Sequence, residues 1–225
     1  MNKIKKLVIV GDSAFAEVAH EYFDIDSDYE VVAFAVERDF LKRNEMRGLP
    51  IVPFEELETH FPPGTHEVYV ATVYTQLNRL RTRLAAAAKL KGYQLASYVS
   101  SRAFVWHNVQ LGEHCFIFED NTIQPFVTIG NNVVMWSGNH IGHHSVIHDN
   151  CFLASHVVVS GFCNIGRNTF MGVNATLANN VTIGEDNWIG LGVTIVRNTA
   201  PNQLFKGEQP EPAKISALRF FKVKE

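Results

Sequence analysis

Ile147-His-Asp-Asn-Cys-Phe-Leu153-Ala-Ser-His-Val-Val-Val159-Ser-Gly-Phe-Cys-Asn-Ile165 carries an aliphatic residue at every sixth position. The ladder runs on in both directions without a break. It begins at Leu111 and continues through Ile117, Ile123, Ile129, Met135 and Ile141, and past Ile165 through Met171, Leu177, Ile183 and Ile189 to Ile195. Four positions after each rung stands a small or mid-sized residue such as Cys115, Val133, Ser145, Cys163 or Ala175. A helix repeats near 3.6 residues and a strand at 2, so a strict six fits neither. It fits a β-helix built from hexapeptides, in which each six-mer forms one flat side of a triangular coil. The aliphatic residue and its small companion point inward. Three six-mers close a coil, so residues eighteen apart stack at roughly 4.7–4.9 Å.

Composition bounds the rest. The chain has 225 residues, 46% hydrophobic content and a formal net charge of −3. That length holds one large or two modest domains, and the content is globular. The charge and the lack of a long basic run argue against nucleic acid as a partner. Met1–Lys6 is polar, and Leu7–Gly11 is too short for a signal or a membrane span. The expectation is a cytoplasmic protein with no membrane partner. Cys115, Cys151 and Cys163 all take the small inward phase, without CxxC spacing, and read as core filler in a reducing compartment.

The first hundred residues obey other rules. Lys6–Gly11, Glu30–Val36, Glu67–Ala71 and Gln94–Val99 read as strands, Ala14–Phe23 and Gln76–Tyr93 as helices, and Gly48–Phe54, with its two prolines, as a connector. The alternation implies a small parallel sheet with helices on its faces. The fold class is therefore α/β plus β: a Rossmann-like domain over 1–99, a left-handed parallel β-helix over 100–200, and a tail over 201–225 that is expected to cap the coil. Phe118, Phe126 and Trp136 fall at outward phases. Such apolar area is buried either by three-fold assembly into a homotrimer or beneath the N-terminal domain.

His140, His143, His144, His148 and His156 cluster over less than one coil, none of them in the inward phase. Each is therefore expected to face solvent, a cleft or a subunit boundary. The segment Trp136-Ser-Gly-Asn-His-Ile-Gly-His-His-Ser-Val-Ile147, with Ala154-Ser-His-Val-Val-Val-Ser-Gly161, resembles the bacterial sugar N-acyltransferases of the PglD and NeuD type, and among them the VioB-like enzymes. The resemblance spans nearly the whole chain. It implies transfer of an acetyl group from acetyl-CoA to the amine of a nucleotide-linked 4-amino-4,6-dideoxyhexose for surface-glycan synthesis. No metal is implied.

The resemblance makes His143 the general base that takes a proton from the sugar amine. His144 stands where one branch of the family has a glutamate that orients the base. His156 matches a second histidine near the acyl group, and Gly161 a glycine whose amide binds the thioester carbonyl. Gly161 also lies one coil above His143, which supports that pairing. A group with a reference pKa near 6.5 is poised to accept a proton near neutrality, and a thioester is already activated. Direct transfer is thus the simplest mechanism.

The resemblance also implies a nucleotide-sugar site in the loop Gly11-Asp12-Ser13-Ala-Phe15-Ala16, although Asp12 and Ala14 make it a poor GxGxxG match. Asn78 and Arg81 match a polar loop that opens a helix, and Trp136 and Asn139 complete the acceptor set. For CoA, Gly172, Asn174, Gly190 and Gly192 are outward candidates along the coil, with Arg197 and Lys206 for its phosphates. Two other readings stay open. One is O-acetylation of a sugar such as sialic acid. The other is a γ-type carbonic anhydrase, because His107, His143 and His148 share the ligand spacing of that zinc family.

Overall fold

The computed structural model describes residues 3–223. Strand β1 (Lys5–Val10) is followed by helix α1 (Ala14–Ile25), β2 (Tyr29–Val36), the short β3 (Glu45–Met46), β4 (Leu49–Pro53), α2 (Leu57–His60), β5 (His66–Val70) and α3 (Arg79–Leu90). The sheet order is β3-β4-β2-β1-β5, parallel except for the β3–β4 pair. Leu7, Val8, Ile9 and Val10 are buried on both sides, as a central parallel strand requires. The segment Gly48–Phe54 corrects its reading as a connector. Its core is β4, which pairs through Ile51 and Val52 with Phe34 and Ala35. Pro53 is tolerated because it stands where that pairing ends.

From residue 98 the chain winds as the hexapeptide ladder predicts. Two-residue strands eighteen apart pair in parallel into three flat faces. The first face runs from Tyr98–Val99 to Leu204–Phe205, the second from Phe104–Val105 to Thr194–Ile195, and the third from Gln110–Leu111 to Thr182–Ile183. Tyr98–Val99 therefore belongs to the coil and not to the α/β sheet, and the last strand lies beyond residue 200. The interior is the expected ladder: Ile117, Ile123, Met135, Ile141, Leu153, Ile165 and Ile189 are fully buried. Cys115, Cys151 and Cys163 are free thiols inside it, and burial pushes the first two up to about 12. They are unreactive filler.

Every sixth residue from His114 to Gly192 takes a left-handed conformation, with φ between 57° and 75°. These are the corners. Asn, Asp and Gly fill most of them, as the sterics of that region favour. Phe126 and Phe162 are exceptions, and bulky residues hold that conformation only under strain.

The α/β domain is seated on the first face. Phe15, Tyr22 and Phe23 of α1 pack against Tyr98, Phe116 and Phe118, and Tyr74 lies against Phe152, Phe170 and Trp188. Phe118 is buried, and Trp136 is half-buried, stacked on Phe118 at 4.6 Å and near Phe15. Of the three outward aromatics, these two lie beneath the N-terminal domain and only Phe126 remains exposed. The tail joins the first face through Leu204–Phe205, and then runs exposed from residue 206, with one short helix, α4 (Ala217–Phe220). Its first residues lie on the last coil, with Phe205 packed against the coil interior and Gln203 O and Phe205 O accepting from the Trp188 and Gly190 N–H groups.

A fully buried polar seam joins the two units. The Val70 N–H donates to His114 Nε2 at 2.9 Å, and His114 Nδ1 donates to Asn132 Oδ1 at 2.8 Å. That pairing fixes a neutral tautomer. Burial pushes the His114 imidazole down to about 3, with the Asn132 bond opposing and the Arg81 charge assisting. The unfolded chain holds this group near 6.5. The stabilisation is therefore whole above pH 6.5 and is lost as the pH falls toward 3, because only the unfolded chain takes up the proton. Urea titrations between pH 6 and pH 4 should show the wild type losing roughly 1.4 kcal/mol per pH unit more than His114→Asn. Asn tolerates the left-handed corner, so coincident slopes would exonerate His114.

Candidate active site

His143 and His144 lie on the corner between the second and third faces, just past the strand His140–Ile141 and Gly142. The His143 N–H donates to Gln124 Oε1 at 2.9 Å, which pins the backbone. Its imidazole lies directly over Gly161: a Cβ there would stand 3.0 Å from Cε1 and 3.1 Å from Nε2 of His143. Glycine is needed at 161 to make room for the ring. The Gly161 amide itself donates to Asn179 Oδ1 at 3.0 Å. The amide expected to meet a thioester carbonyl is thus engaged by a side chain in this structure. At another corner, Asn131 and Asp149 take the Glu113 and Asn131 amides in the same way, one coil later.

His143 Nδ1 stands 3.1 Å from His144 Nδ1, with the two rings at 89°. The partner of the candidate base is thus a second imidazole and not a carboxylate. His144 is clasped between Phe126 at 4.6 Å and Phe162 at 4.8 Å, the latter stacked at 17°. Both phenyl rings are more than half exposed, at 58% and 53%. His148 Nε2 is engaged with Asn164 Oδ1 at 2.8 Å on the third face. His140, His143, His144, His148 and His156 are all at least partly exposed, as their outward phases require.

His156 occupies a different corner, between the first and second faces, where its ring rests on Gly138. One chain therefore does not bring His143 and His156 together. Beside His156's corner a groove of about 510 Å³ is lined by Tyr74, Phe170, Gly172, Trp188, Gly190 and Lys206 among others. Of the candidate CoA glycines, Gly172 and Gly190 gather there. Their amides are committed to the coil, Gly172 N–H to Ile189 O at 2.7 Å and Gly190 N–H to Phe205 O at 2.7 Å. Asn174 is exposed at that corner, its N–H bonded to Ser155 O. Tyr74 was not singled out in the sequence, since a lone tyrosine in a loop carries no periodic signal.

Part of the acceptor set also gathers. Gly11, Asp12 and Ser13 line a notch of about 480 Å³ at the carboxyl ends of β1 and β2, with Glu37, Thr72, Thr75 and Gln76. Gly11 has φ 126°, and a Cβ would strike Ala71 O at 2.8 Å. Asp12 is matched by Arg43 at 3.5 Å, which tempers its repulsion of an anion. Ser13 precedes α1 with its side chain unused as a cap, leaving helix N–H groups open toward the notch. Glu37, fixed by Arg83 at 2.7 and 2.8 Å, was missed because an acidic residue after a strand is common.

The remaining acceptor residues are buried or half-buried. Phe15 is core against the coil, and Trp136 lies tilted beside it at 5.9 Å while stacking on Phe118. Asn139 is inward: its Oδ1 accepts from the Val157 N–H at 2.7 Å and its amide donates to Trp136 O. Asn78 and Arg81 are both 0% exposed. Asn78 Nδ2 donates to Asn168 O, and Arg81 donates to six acceptors across the seam. These bonds fasten the two domains together. Gln76, Leu77 and Asn78 form a left-handed turn, so α3 starts at Arg79 and not at Gln76.

Among the described residues no group of three His, Cys, Asp or Glu side chains is placed to hold a metal ion, and no helix is long and apolar enough to cross a membrane.

The repeat family described as Bacterial transferase hexapeptide (six repeats) matches residues 126–161. No curated protein matches the chain in sequence. Its fold is similar to that of a mutant perosamine N-acetyltransferase from Caulobacter crescentus, solved with CoA and GDP-perosamine. That likeness has a TM-score of 0.79 and 26% identity over 91% of this chain and 94% of that one. The acetyltransferase domain of PglB from Neisseria gonorrhoeae shares the fold at TM-score 0.65, with 21% identity over 93% and 100% of the two chains. WeeI from Acinetobacter baumannii does so at 0.70, with 18% identity over 91% and 97%. The chain thus carries bacterial-transferase hexapeptide repeats and shares with the perosamine N-acetyltransferase an N-terminal α/β domain seated on a left-handed parallel β-helix.

Proposed function

We propose that this enzyme moves an acetyl group from acetyl-CoA to the amine of a nucleotide-linked amino sugar, a 4-amino-4,6-dideoxyhexose, for surface-glycan synthesis. The observation that carries the reading is the His143 imidazole. It lies over Gly161 at an open corner, with Nδ1 engaged by His144 and no hydrogen bond to Nε2 among the described residues. Such a nitrogen suits acceptance of a proton from an attacking amine. CoA and GDP-perosamine in the similar perosamine N-acetyltransferase support the substrate pair. The notch at Gly11 and Ser13 takes the nucleotide, since pyrophosphates favour the carboxyl ends of parallel strands and open helix N-termini.

The test is CoA release with acetyl-CoA and a panel of nucleotide amino sugars, run beside sialic acid. Acetylation of the amine supports the reading. Acetylation of a sialic acid hydroxyl alone replaces it with O-acetyl transfer.

Geometry also favours a trimer with shared sites. The notch belongs to the domain on the first face, whereas His143 stands on the far corner, between the other two faces. Exposed apolar residues occur at two different corners, Phe126 and Phe162 at one, Val173 and Leu191 at the other. Unlike patches that meet head to tail close into a ring when the rotation fits. Light scattering should therefore give three times the chain mass. Co-expressed His143→Ala and notch-filling Thr75→Trp chains should recover activity that each lacks alone. An active monomer, or no recovery in mixed assemblies, would reject shared sites.

A further inference from the structure

We infer that His144 is the second station of a proton relay, and that Phe126 and Phe162 are positioning residues that hold it. The inference deepens the proposed function, because it rests on His143 as the base.

A 3.1 Å contact between two Nδ1 atoms requires that one donate and the other accept. With His143 donating, its Nε2 carries the lone pair for the substrate amine. His144 then accepts at Nδ1 and carries its own proton on Nε2. As the amine nitrogen bonds to the thioester carbon, the carbonyl π pair moves to oxygen and the amine proton passes to His143 Nε2. The His143 Nδ1 proton passes to His144 Nδ1, and the His144 Nε2 proton passes to water. Collapse expels the CoA thiolate, which takes up one proton from solvent. The exchange with water is balanced, and both imidazoles return to neutral by reversing their tautomers.

The clasp is what singles out His144 from an ordinary neighbour. The two phenyl faces confine the His144 ring between them. The rings at 4.6 and 4.8 Å also fix the plane in which Nδ1 meets His143. Phe126 and Phe162 hold left-handed backbone, φ 65° and 59°, at corners where Asn, Asp or Gly is the unstrained choice. They keep more than half of their surface exposed, so coil packing does not explain them. Phe162 meets His143 edge-on at 5.0 Å as well, so a single ring touches both stations.

The test uses His144→Asn and His144→Gly, which both suit a left-handed corner and spare the fold. Each should lower turnover by about ten- to a hundredfold, less than loss of the base itself (~10²–10⁴-fold). In His144→Gly, added imidazole should enter the slot between the two phenyl rings and restore turnover saturably. Phe162→Leu in that background should weaken the restoration. The wild-type proton inventory in mixed H₂O and D₂O should curve, and that of His144→Asn should be linear. Normal turnover in His144→Asn, or a folded His144→Gly that imidazole leaves unchanged, overturns the relay while His143→Ala still shows the base. Should His143→Ala keep its turnover, the base reading falls and the relay with it.

Discussion

His143→Ala is expected to lower turnover by roughly 10²–10⁴-fold, the range for losing a general base. The melting temperature should scarcely move. The side chain is exposed, its ring lies on a glycine, and its one ring hydrogen bond among the described residues is to another exposed histidine. The pinning bond from Gln124 is made to the backbone and survives the change. CoA affinity should be nearly unchanged, because the imidazole acts on the amine. Calorimetric melting, CoA titration and kcat on one preparation decide the matter. Near-normal acetylation would remove His143 as the base, and an unfolded variant would make it structural.

The second large effect is on stability. Arg81→Met should lower the unfolding free energy by about 3–5 kcal/mol, the usual cost of deleting one member of a buried charged network. Arg81 is wholly buried without a carboxylate partner. It is held by Asn132 Oδ1 at 3.0 Å, by Thr72 O, Val73 O and Asn132 O at 3.2 Å, and by Asn78 Oδ1 and Cys151 O at 3.3 and 3.4 Å. Burial lowers its guanidinium to about 10, so it stays charged at neutrality. Methionine fills much of the volume but takes the guanidinium donor from Thr72 O, Val73 O and Asn78 Oδ1, whereas Asn132 Oδ1 keeps His114 and Cys151 O keeps the Val134 N–H. Arg81→Lys should recover little, since one ammonium cannot span acceptors on both domains. Denaturant curves measure this directly. A stable Arg81→Met enzyme with only a raised KM for the acceptor would return Arg81 to the substrate site.

The seam also decides how the domains can be tested. Deleting residues 1–99 would remove Tyr98–Val99 from the coil and lay bare Phe116, Phe118, Phe152 and Phe170. Division of labour between the domains is therefore measured with point variants in the notch, such as Thr75→Trp, and not by truncation.

What could be read in the chain alone was whatever repeats or stands next to its partner. The six-residue ladder determined the coil, its three faces and its interior, because inward phase is a local periodicity that each hexapeptide states again. The His143–Gly161 pairing was legible for the same reason, since one coil is a known number of residues. Even the corner phase was open to reading: Phe126 and Phe162 break a run of Asn, Asp and Gly at every sixth place. Tertiary structure decided what covers each outward phase. Asn78, Arg81, Phe15 and Trp136 read as polar-loop or surface candidates until the α/β domain settled on the first face and enclosed them. Their burial depends on contacts between residues dozens of positions apart, and no local pattern encodes which face of a three-sided coil a neighbouring domain will take.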